Sequence, residues 1–434
     1  MQILFSLDPW IYRDVAGNQK YTLENIFVKA MNNLAQAGHG VKLLVGEDMY
    51  DTITSNNLNI NADIKVVPLY DLYNIYPNHY DAHKIQFNNQ DSMQQVKDFS
   101  TLITKTLNQW VPDALVSFTT PVSIFKKIFP KTLCLQFENG LFSRPPYPYL
   151  CQLDPFGFLK HSYPAIFAKQ LREQQIDKTQ MTRITELRRI YKENIFDIYN
   201  PFSRQALCEN KYQKLLLVPL SYNGVVINDE ASEFKSQLDF LIHVLYRTPK
   251  DTGVLVTKHS LQMDRSLHPD TEVFLQKQFP NLIFNDDFDR YAFASQWLTP
   301  LVDGVVSLNS TVAYHAAFWN KKVFSLGNCE INSVGSVNCV DNISDILSLP
   351  DTEDINATNV LYHLLTRYCF LLDDFFDAGY LVSRFEKMMN TNKWDCMPMI
   401  EQNEDIIFEK LLCATPGLKP DFKPRVWDKF KKEK

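Results

Sequence analysis

Residues Val302–Gly327 read VDGVVSLNSTVAYHAAFWNKKVFSLG. Gly304–Leu308 is a short apolar run of strand type, and Lys322–Leu326 is a second one. Between them, Asn309-Ser310-Thr311 is a cluster of side chains that accept hydrogen bonds from the free N–H groups of a first helical turn. A strand, a polar loop, a helix and a strand in this order form a crossover unit, which places a polar helix start at the carboxyl edge of a parallel sheet. Phosphates and other anions bind at such edges. The plainer reading is that the three polar residues only cap the helix.

The same alternation extends outward in both directions. Upstream lie strand-like Lys214–Pro219, a helical stripe over Ala231–Tyr246 (Phe234, Leu238, Leu241, Ile242, Leu245), strand-like Gly253–Thr257, helical Thr271–Gln278 and strand-like Leu282–Phe284. The first part of the chain repeats the pattern. Strands are expected at Gln2–Ser6, Val41–Val45, Ile64–Val67, Ala114–Phe118 and Thr132–Gln136, with helices at Tyr21–Ala37, Ser92–Trp110 and Val122–Phe129. Helices at Val360–Asp377, Tyr380–Met389 and Glu404–Cys413 close the chain. The expected fold class is α/β: two Rossmann-like domains facing across a cleft, with a helical C-terminal end. The boundaries expected are 1–205, 206–358 and 359–434, the last packing helices across both domains and ending in a basic tail.

Composition narrows the function. The chain has 434 residues, 45% hydrophobic and 22% charged, as in an ordered globular protein long enough for two cores. A net charge of −6 argues against a general nucleic-acid binder. No run approaches the roughly 20 apolar residues of a membrane span, and MQILFSLDPW reads as a first strand and not as a signal peptide. Eight cysteines at irregular spacing, without a CxxC pair, suit reduced thiols and a cytoplasmic location. Neither a GxGxxG nor a P-loop motif is present, and no His/Cys ligand spacing suggests a metal.

Polar motifs fall where strands are expected to end. Gln136-Phe137-Glu138-Asn139-Gly140 leads into a segment with Arg144, Asp154 and Gly157. A carboxylate there is a candidate general acid or base, or a turn cap. Pro219–Ser232 holds Asn228, Asp229 and Glu230 at a helix start, where carboxylates also serve as dipole partners. Thr257-Lys258-His259-Ser260 offers a point charge and a proton carrier to an anion. Asn309-Ser310-Thr311 is the fourth, with His315 one turn on. Asp286-Asp287-Phe288-Asp289 has the look of a metal-binding DxD but fits helix capping equally well.

Taken in order, these motifs resemble the retaining β-Kdo glycosyltransferases of bacterial capsule and lipopolysaccharide O-antigen synthesis. Those are GT-B-like enzymes that use CMP-activated 3-deoxy-manno-octulosonic acid (Kdo). Glu138-Asn139-Gly140 with Asp154-Pro155-Phe156-Gly157 is similar to the family's Glu-acidic-Gly and Asp-x-x-Gly elements, and Asp229-Glu230-Ala231-Ser232 to its acidic loop. Lys258-His259-Ser260 matches a Lys-Pro-His-Pro element without its prolines, and His315 stands where many GT-B enzymes carry a donor-binding glutamate.

The resemblance, over about 130–330, implies transfer of Kdo from CMP-β-Kdo to an oligosaccharide or lipid-linked glycan acceptor. It implies Asp229 as nucleophile and Glu138 as acid/base. Lys258, His259, Asn309, Ser310, Thr311 and His315 would hold the donor, and Arg144 and Asp154 the sugar, Arg144 by pairing with the Kdo carboxylate. No cofactor or metal is expected. Two other readings stay open: a GT-B transferase using CMP-sialate or a UDP- or GDP-sugar, and a non-catalytic glycan-binding subunit of a polysaccharide assembly complex. The basic, aromatic tail Asp421–Lys434 suits peripheral contact with the inner face of the plasma membrane.

Overall fold

The computed structural model describes residues 1–10, 16–208, 211–221, 226–259, 267–291, 293–335, 338–341, 343–348, 353–390 and 404–413. Loop residues 222–225, Ser260 and the tail from 421 therefore lie outside the described residues, as do the side chains of Ile227 and Asn228. The chain forms two compact units, each an α/β layer structure around its own sheet.

The first unit contains Met1–Gly140, Cys151–Tyr163 and the chain from Arg367 to Asn390. Its strands are β1 (Gln2–Leu7), β2 (Gly40–Gly46), β3 (Asp63–Val67), β4 (Ala114–Phe118), β5 (Leu133–Asn139), β6 (Leu150–Asp154) and, late in the chain, β12 (Cys369–Leu371). The spatial order is β12-β6-β5-β4-β1-β2-β3. The strands β5, β4, β1, β2 and β3 pair in parallel, while β6 runs antiparallel to β5. Burial on both faces explains the near-continuous apolar runs of the central strands. Leu4, Leu44 and Leu115 pack on one side with Phe99, Ile103 and Phe125. Phe5, Phe27, Phe137 and Phe375 make a ring cluster elsewhere in the unit, edge-to-face at Phe5–Phe27 and Phe27–Phe137 and tilted at Phe137–Phe375.

The second unit holds β7 (Lys214–Pro219), β8 (Thr252–Thr257), β9 (Leu282–Ile283), β10 (Gly304–Ser307) and β11 (Lys322–Ser325) in the order β11-β10-β7-β8-β9, all parallel. Its core joins Leu216, Val218, Val254, Val256, Val306 and Phe324 to Phe240, Leu241 and Val244 of the helix Gln237–Arg247. The α/β fold class expected from the alternation is the one observed.

Three local expectations change. The run Val360–Asp377 is not one helix: Ile355–His363 passes through a π-turn at Leu364–Tyr368 into β12, and a new helix starts at Leu372. The apolar, aromatic Cys369-Phe370-Leu371 has strand propensity, and the edge of the first sheet takes it. The helix expected from Ala231 starts at Gln237, where the Ser236 hydroxyl accepts from Asp239 N–H at 3.1 Å. The connectivity also differs from a simple 1–205 and 206–358 division. Leu141–Leu150 and Pro164–Thr366 belong with the second sheet, and the chain returns to the first at Arg367. Part of the reason is the helix Lys178–Tyr191, started by an Asp177/Gln180 capping box, whose Arg188 pairs with Glu353 in the second unit.

Candidate functional site

In the second unit the strands β7, β8 and β10 lie side by side and end together. At that carboxyl edge a hollow of about 110 Å³ is lined by Arg144, Lys258, His259, Ser310 and Thr311, and by Pro219, Thr257, Phe293, Ser295 and Gln296 among others. Order reverses here: β7 is followed by β8 on one side, and β10 lies on its other side. Open parallel sheets bind ligands at this switch point. The volume is well below the roughly 300–1,000 Å³ of a whole small-molecule pocket. It suits a phosphate- or carboxylate-sized group.

Each lining side chain has an identifiable support. Arg144 donates from Nη1 to Ser143 O at 3.1 Å and sits 5.8 Å from the ring of Phe293. Phe293 is itself held in the left-handed region at φ 59°. The hydroxyls of Thr257 and Ser295 share a hydrogen bond of 2.7 Å. The Ser310 N–H donates to Ser307 Oγ at 2.9 Å, and Ser310 Oγ accepts weakly from Val312 N–H at 3.4 Å. Thr311 has helical dihedrals and makes no side-chain capping bond. Capping therefore falls to Ser310, and the Thr311 hydroxyl is left to line the hollow. Asn309 is half-buried just ahead of them. Gly327 fixes the neighbouring turn, because a Cβ there would lie 1.9 Å from Leu308 O.

Lys258 is not an isolated phosphate partner. Its ammonium pairs with Glu272 at 2.8 Å and Asp289 at 2.9 Å, with only 12% of the side chain exposed. Two carboxylates already match one cation, so Arg144 supplies the hollow's cationic character. The same pairing explains Asp286-Asp287-Phe288-Asp289. Asn285 caps that helix by accepting from Asp287 N–H, Asp287 pairs with Arg290, and Asp289 with Lys258. Among the described residues no group of three potential metal ligands occurs.

His315 departs from the donor-binding expectation. It is 0% exposed, its Nε2 lies 3.1 Å from Leu141 O, and its ring packs 4.6 Å from Tyr147 and 5.6 Å from Phe142. Every residue of the helix Val312–Phe318 is buried, so the residue one turn past the hollow points into a core and not toward a ligand. Burial drives its pKa down to about 3, against the Leu141 carbonyl and together with nearby Arg144. A base with a depressed folded pKa stabilises the fold above its unfolded value of 6.5 and loses that contribution as pH falls toward the folded one. The expected slope is up to about 1.4 kcal/mol per pH unit below the unfolded value. Urea midpoints at pH 7 and pH 5 should separate more in the wild type than in His315→Gln; equal separations would refute a buried neutral imidazole.

In the first unit, Glu138 is half-buried on β5, opposite Gln152 of β6. Asp154 is 0% exposed, and its carboxylate is filled by donors. Oδ1 accepts from the N–H groups of Phe156 (2.6 Å) and Gly157 (3.1 Å), and Oδ2 from Tyr163 N–H (2.6 Å) and Tyr368 Oη (2.5 Å). The sugar-binding expectation for Asp154 gives way to a structural one: it folds its own loop, with Gly157 at φ 151°. Asp229 ends the short helix Val226–Asp229 in the second unit and is half-buried. Two residues on, Ala231 O accepts from Asn328 N–H at 2.5 Å, which ties the Asp229 segment to the turn after β11. The sequence reading missed Ser295 and Gln296, since hydroxyl and amide residues on a short helix such as Ala294–Leu298 carry no motif.

No family model matches the chain, and no curated protein sequence does. Solved structures do. The KpsC β-Kdo 2,7 transferase of Thermosulfurimonas dismutans is 15% identical, with 69% of this chain covered, 95% of that one, and a TM-score of 0.38. The calicheamicin glycosyltransferase CalG4 is 11% identical (90% and 99% covered, TM-score 0.39). The UDP-GlcNAc 2-epimerase of Neisseria meningitidis is 13% identical (95% and 100% covered, TM-score 0.29). No helix among the described residues is long and apolar enough to cross a membrane.

Proposed function

We propose that the chain is a retaining glycosyltransferase that moves Kdo from CMP-β-Kdo to a glycan acceptor of a bacterial surface polysaccharide. One observation carries the donor side. Arg144, His259, Ser310 and Thr311, from three separate segments, surround one anion-sized hollow at the switch point of a parallel sheet. In this reading the hollow takes an anionic group of the donor, a phosphate or the Kdo carboxylate. Arg144 is the cation that meets it, and the hydroxyls of Ser310 and Thr311 donate to its oxygens. The motif order that resembles the β-Kdo transferases supplies the identity of the sugar.

Retention follows from two inversions. Asp229 attacks the anomeric carbon as CMP leaves, and the acceptor oxygen then displaces Asp229 while a base takes its proton. Glu138 is assigned that proton. Departure of CMP needs no metal in this scheme, because Arg144 and the hydroxyls share the developing charge.

Thermal shift with CMP, UDP and GDP tests the donor. Stabilisation by CMP alone is expected, with about 2.7 kcal/mol gained at a hundredfold excess over Kd, and unchanged by a chelator. Stabilisation by UDP or GDP instead would replace CMP-Kdo with another sugar nucleotide. No response to any of the three would favour a glycan-binding subunit.

A further inference from the structure

The last described helix, Glu404–Cys413, lies against Lys178–Tyr191 and leaves a groove beside it. Gln180 Nε2 donates to Glu404 Oε1 at 3.1 Å, and Arg183 pairs with Asp405. These bonds fix the start of the later helix against the first half of the earlier one. The groove has a volume of about 630 Å³, within the roughly 300–1,000 Å³ of binding pockets. It runs from Thr179 in the first turn of Lys178–Tyr191 to Ile190 in the last, about 17 Å of helix. Leu187, Ile190, Phe408 and Leu412 supply its apolar lining. Leu187 and Phe408 are buried, whereas Ile190 is half-buried and Leu412 is 39% exposed. Apolar surface gathered in an open groove marks a binding surface.

The chain itself supplies an occupant. It leaves Glu404–Cys413 one residue past Leu412, and residues 414–434 lie outside the described residues. Thr415-Pro416-Gly417-Leu418 carries Pro at the second and Gly at the third position, the type II turn pattern, a signal for reversing the chain toward the groove. Leu418, Pro420, Phe422, Pro424 and Val426 then alternate with Lys419, Asp421, Lys423 and Arg425. In extended chain, alternate residues fall on opposite edges, here one apolar and one charged. Pro420 and Pro424 favour that form, because proline stops a helix and biases the residue before it toward extended dihedrals. Nine extended residues span about 28 Å, more than the groove requires. The short tether also holds the segment at an effective concentration of order millimolar, an advantage that no separate partner has.

We propose that Leu418–Val426 docks in this groove, with Leu418 and Phe422 against Leu187, Ile190 and Phe408 and the charged edge facing water. Docking covers the apolar surface of Leu412 and ties this segment to Lys178–Tyr191. It does not depend on the transferase reading. A helix lying on an anionic bilayer is the other use of a basic, aromatic segment, and Pro420 and Pro424 disfavour a helix over this stretch.

Two measurements on the full chain test it. Trypsin cuts poorly before proline, so within this segment it reports on the Arg425–Val426 bond and not on Lys419–Pro420 or Lys423–Pro424. Cleavage of a docked segment tracks the population that has opened. Phe422→Asp removes a buried ring, and cleavage should become about tenfold faster or more. Thr182→Trp fills the groove from the other side and should speed cleavage with Phe422 in place. Thr182 is exposed, so the unfolding midpoint of that variant should stay at the wild-type value. In the second measurement, p-benzoylphenylalanine at position 422 should cross-link under light to peptides within 178–190 or 404–413 of the same chain. Thr182→Trp should remove that product. Equal cleavage rates in the wild type and both variants, or cross-links only to other parts of the chain, would overturn the proposal. A cross-linked product of doubled mass would give the groove to a second copy. Cross-linking to lipid in place of the helices, with vesicles of phosphatidylcholine and phosphatidylglycerol, would assign the segment to a membrane. Either result sinks self-docking.

Discussion

Asp229→Asn should lower turnover of CMP-Kdo by about four orders of magnitude or more, the scale of loss on removing a catalytic nucleophile. The substitution keeps the shape of the side chain and removes the charged oxygen that attacks the anomeric carbon. Asp229 ends a single helical turn whose following residues are anchored through Ala231 O and Asn328 N–H, so the segment has backbone support independent of the carboxylate. Stability should therefore move by less than about 1 kcal/mol, the scale of a surface or dipole contribution. CMP affinity should hold as well, because the hollow is built by Arg144, Ser310, Thr311 and their neighbours. The wild type mixed with CMP-Kdo should gain the mass of one sugar on the peptide containing Asp229. A variant that turns over near the normal rate, or an adduct mapped elsewhere, would remove Asp229 from the role.

How much of this was legible in the sequence depended on the kind of signal. The parallel sheets were, because strands buried on both faces are nearly continuous apolar runs, as in Leu215–Pro219 and Ala114–Val116. The carboxyl edge of the second sheet was legible for the same reason. Once strand ends are located, Thr257-Lys258-His259 and Ser310-Thr311 must emerge beside one another if their strands are neighbours, and they line one hollow. What periodicity cannot give is which way a polar residue faces, or what already occupies it. His315 lies one turn from Thr311 yet is buried against Tyr147, and Lys258 is matched by Glu272 and by Asp289, 14 and 31 residues away in sequence. In the first unit, the buried pair of Asp8 and His83 joins residues 75 apart with no motif between them, and only tertiary packing reveals it. β12 was hidden by its flanks, since three residues between helices are too few for a period.

Asp154 carries the largest stability effect expected of any polar residue in the first unit. Its four hydrogen bonds are all accepted, three from backbone N–H groups and one from Tyr368 Oη, and the side chain is wholly enclosed. Asp154→Asn preserves volume but turns one acceptor oxygen into an NH₂ donor. Whichever way the amide faces, one pair of donors meets another donor: either Phe156 with Gly157, or Tyr163 with Tyr368. Each buried group left unsatisfied costs about 1–3 kcal/mol, so a loss of about 3 kcal/mol or more is expected in urea unfolding. The pH dependence separates the terms. Burial raises the Asp154 pKa above 3.8, outweighing the hydrogen bonds from Tyr368, Tyr163, Phe156 and Gly157 that lower it. A carboxyl with a raised folded pKa contributes stability that is fully present below its unfolded value and is lost as pH rises through the folded one. The gap between wild type and Asp154→Asn should therefore be widest near pH 4 and narrow toward pH 7. A gap that widens with pH would mean that the four donors outweigh burial and that the folded carboxyl is the stronger acid. A gap near zero at every pH would show that the loop at Phe156–Gly157 folds without it.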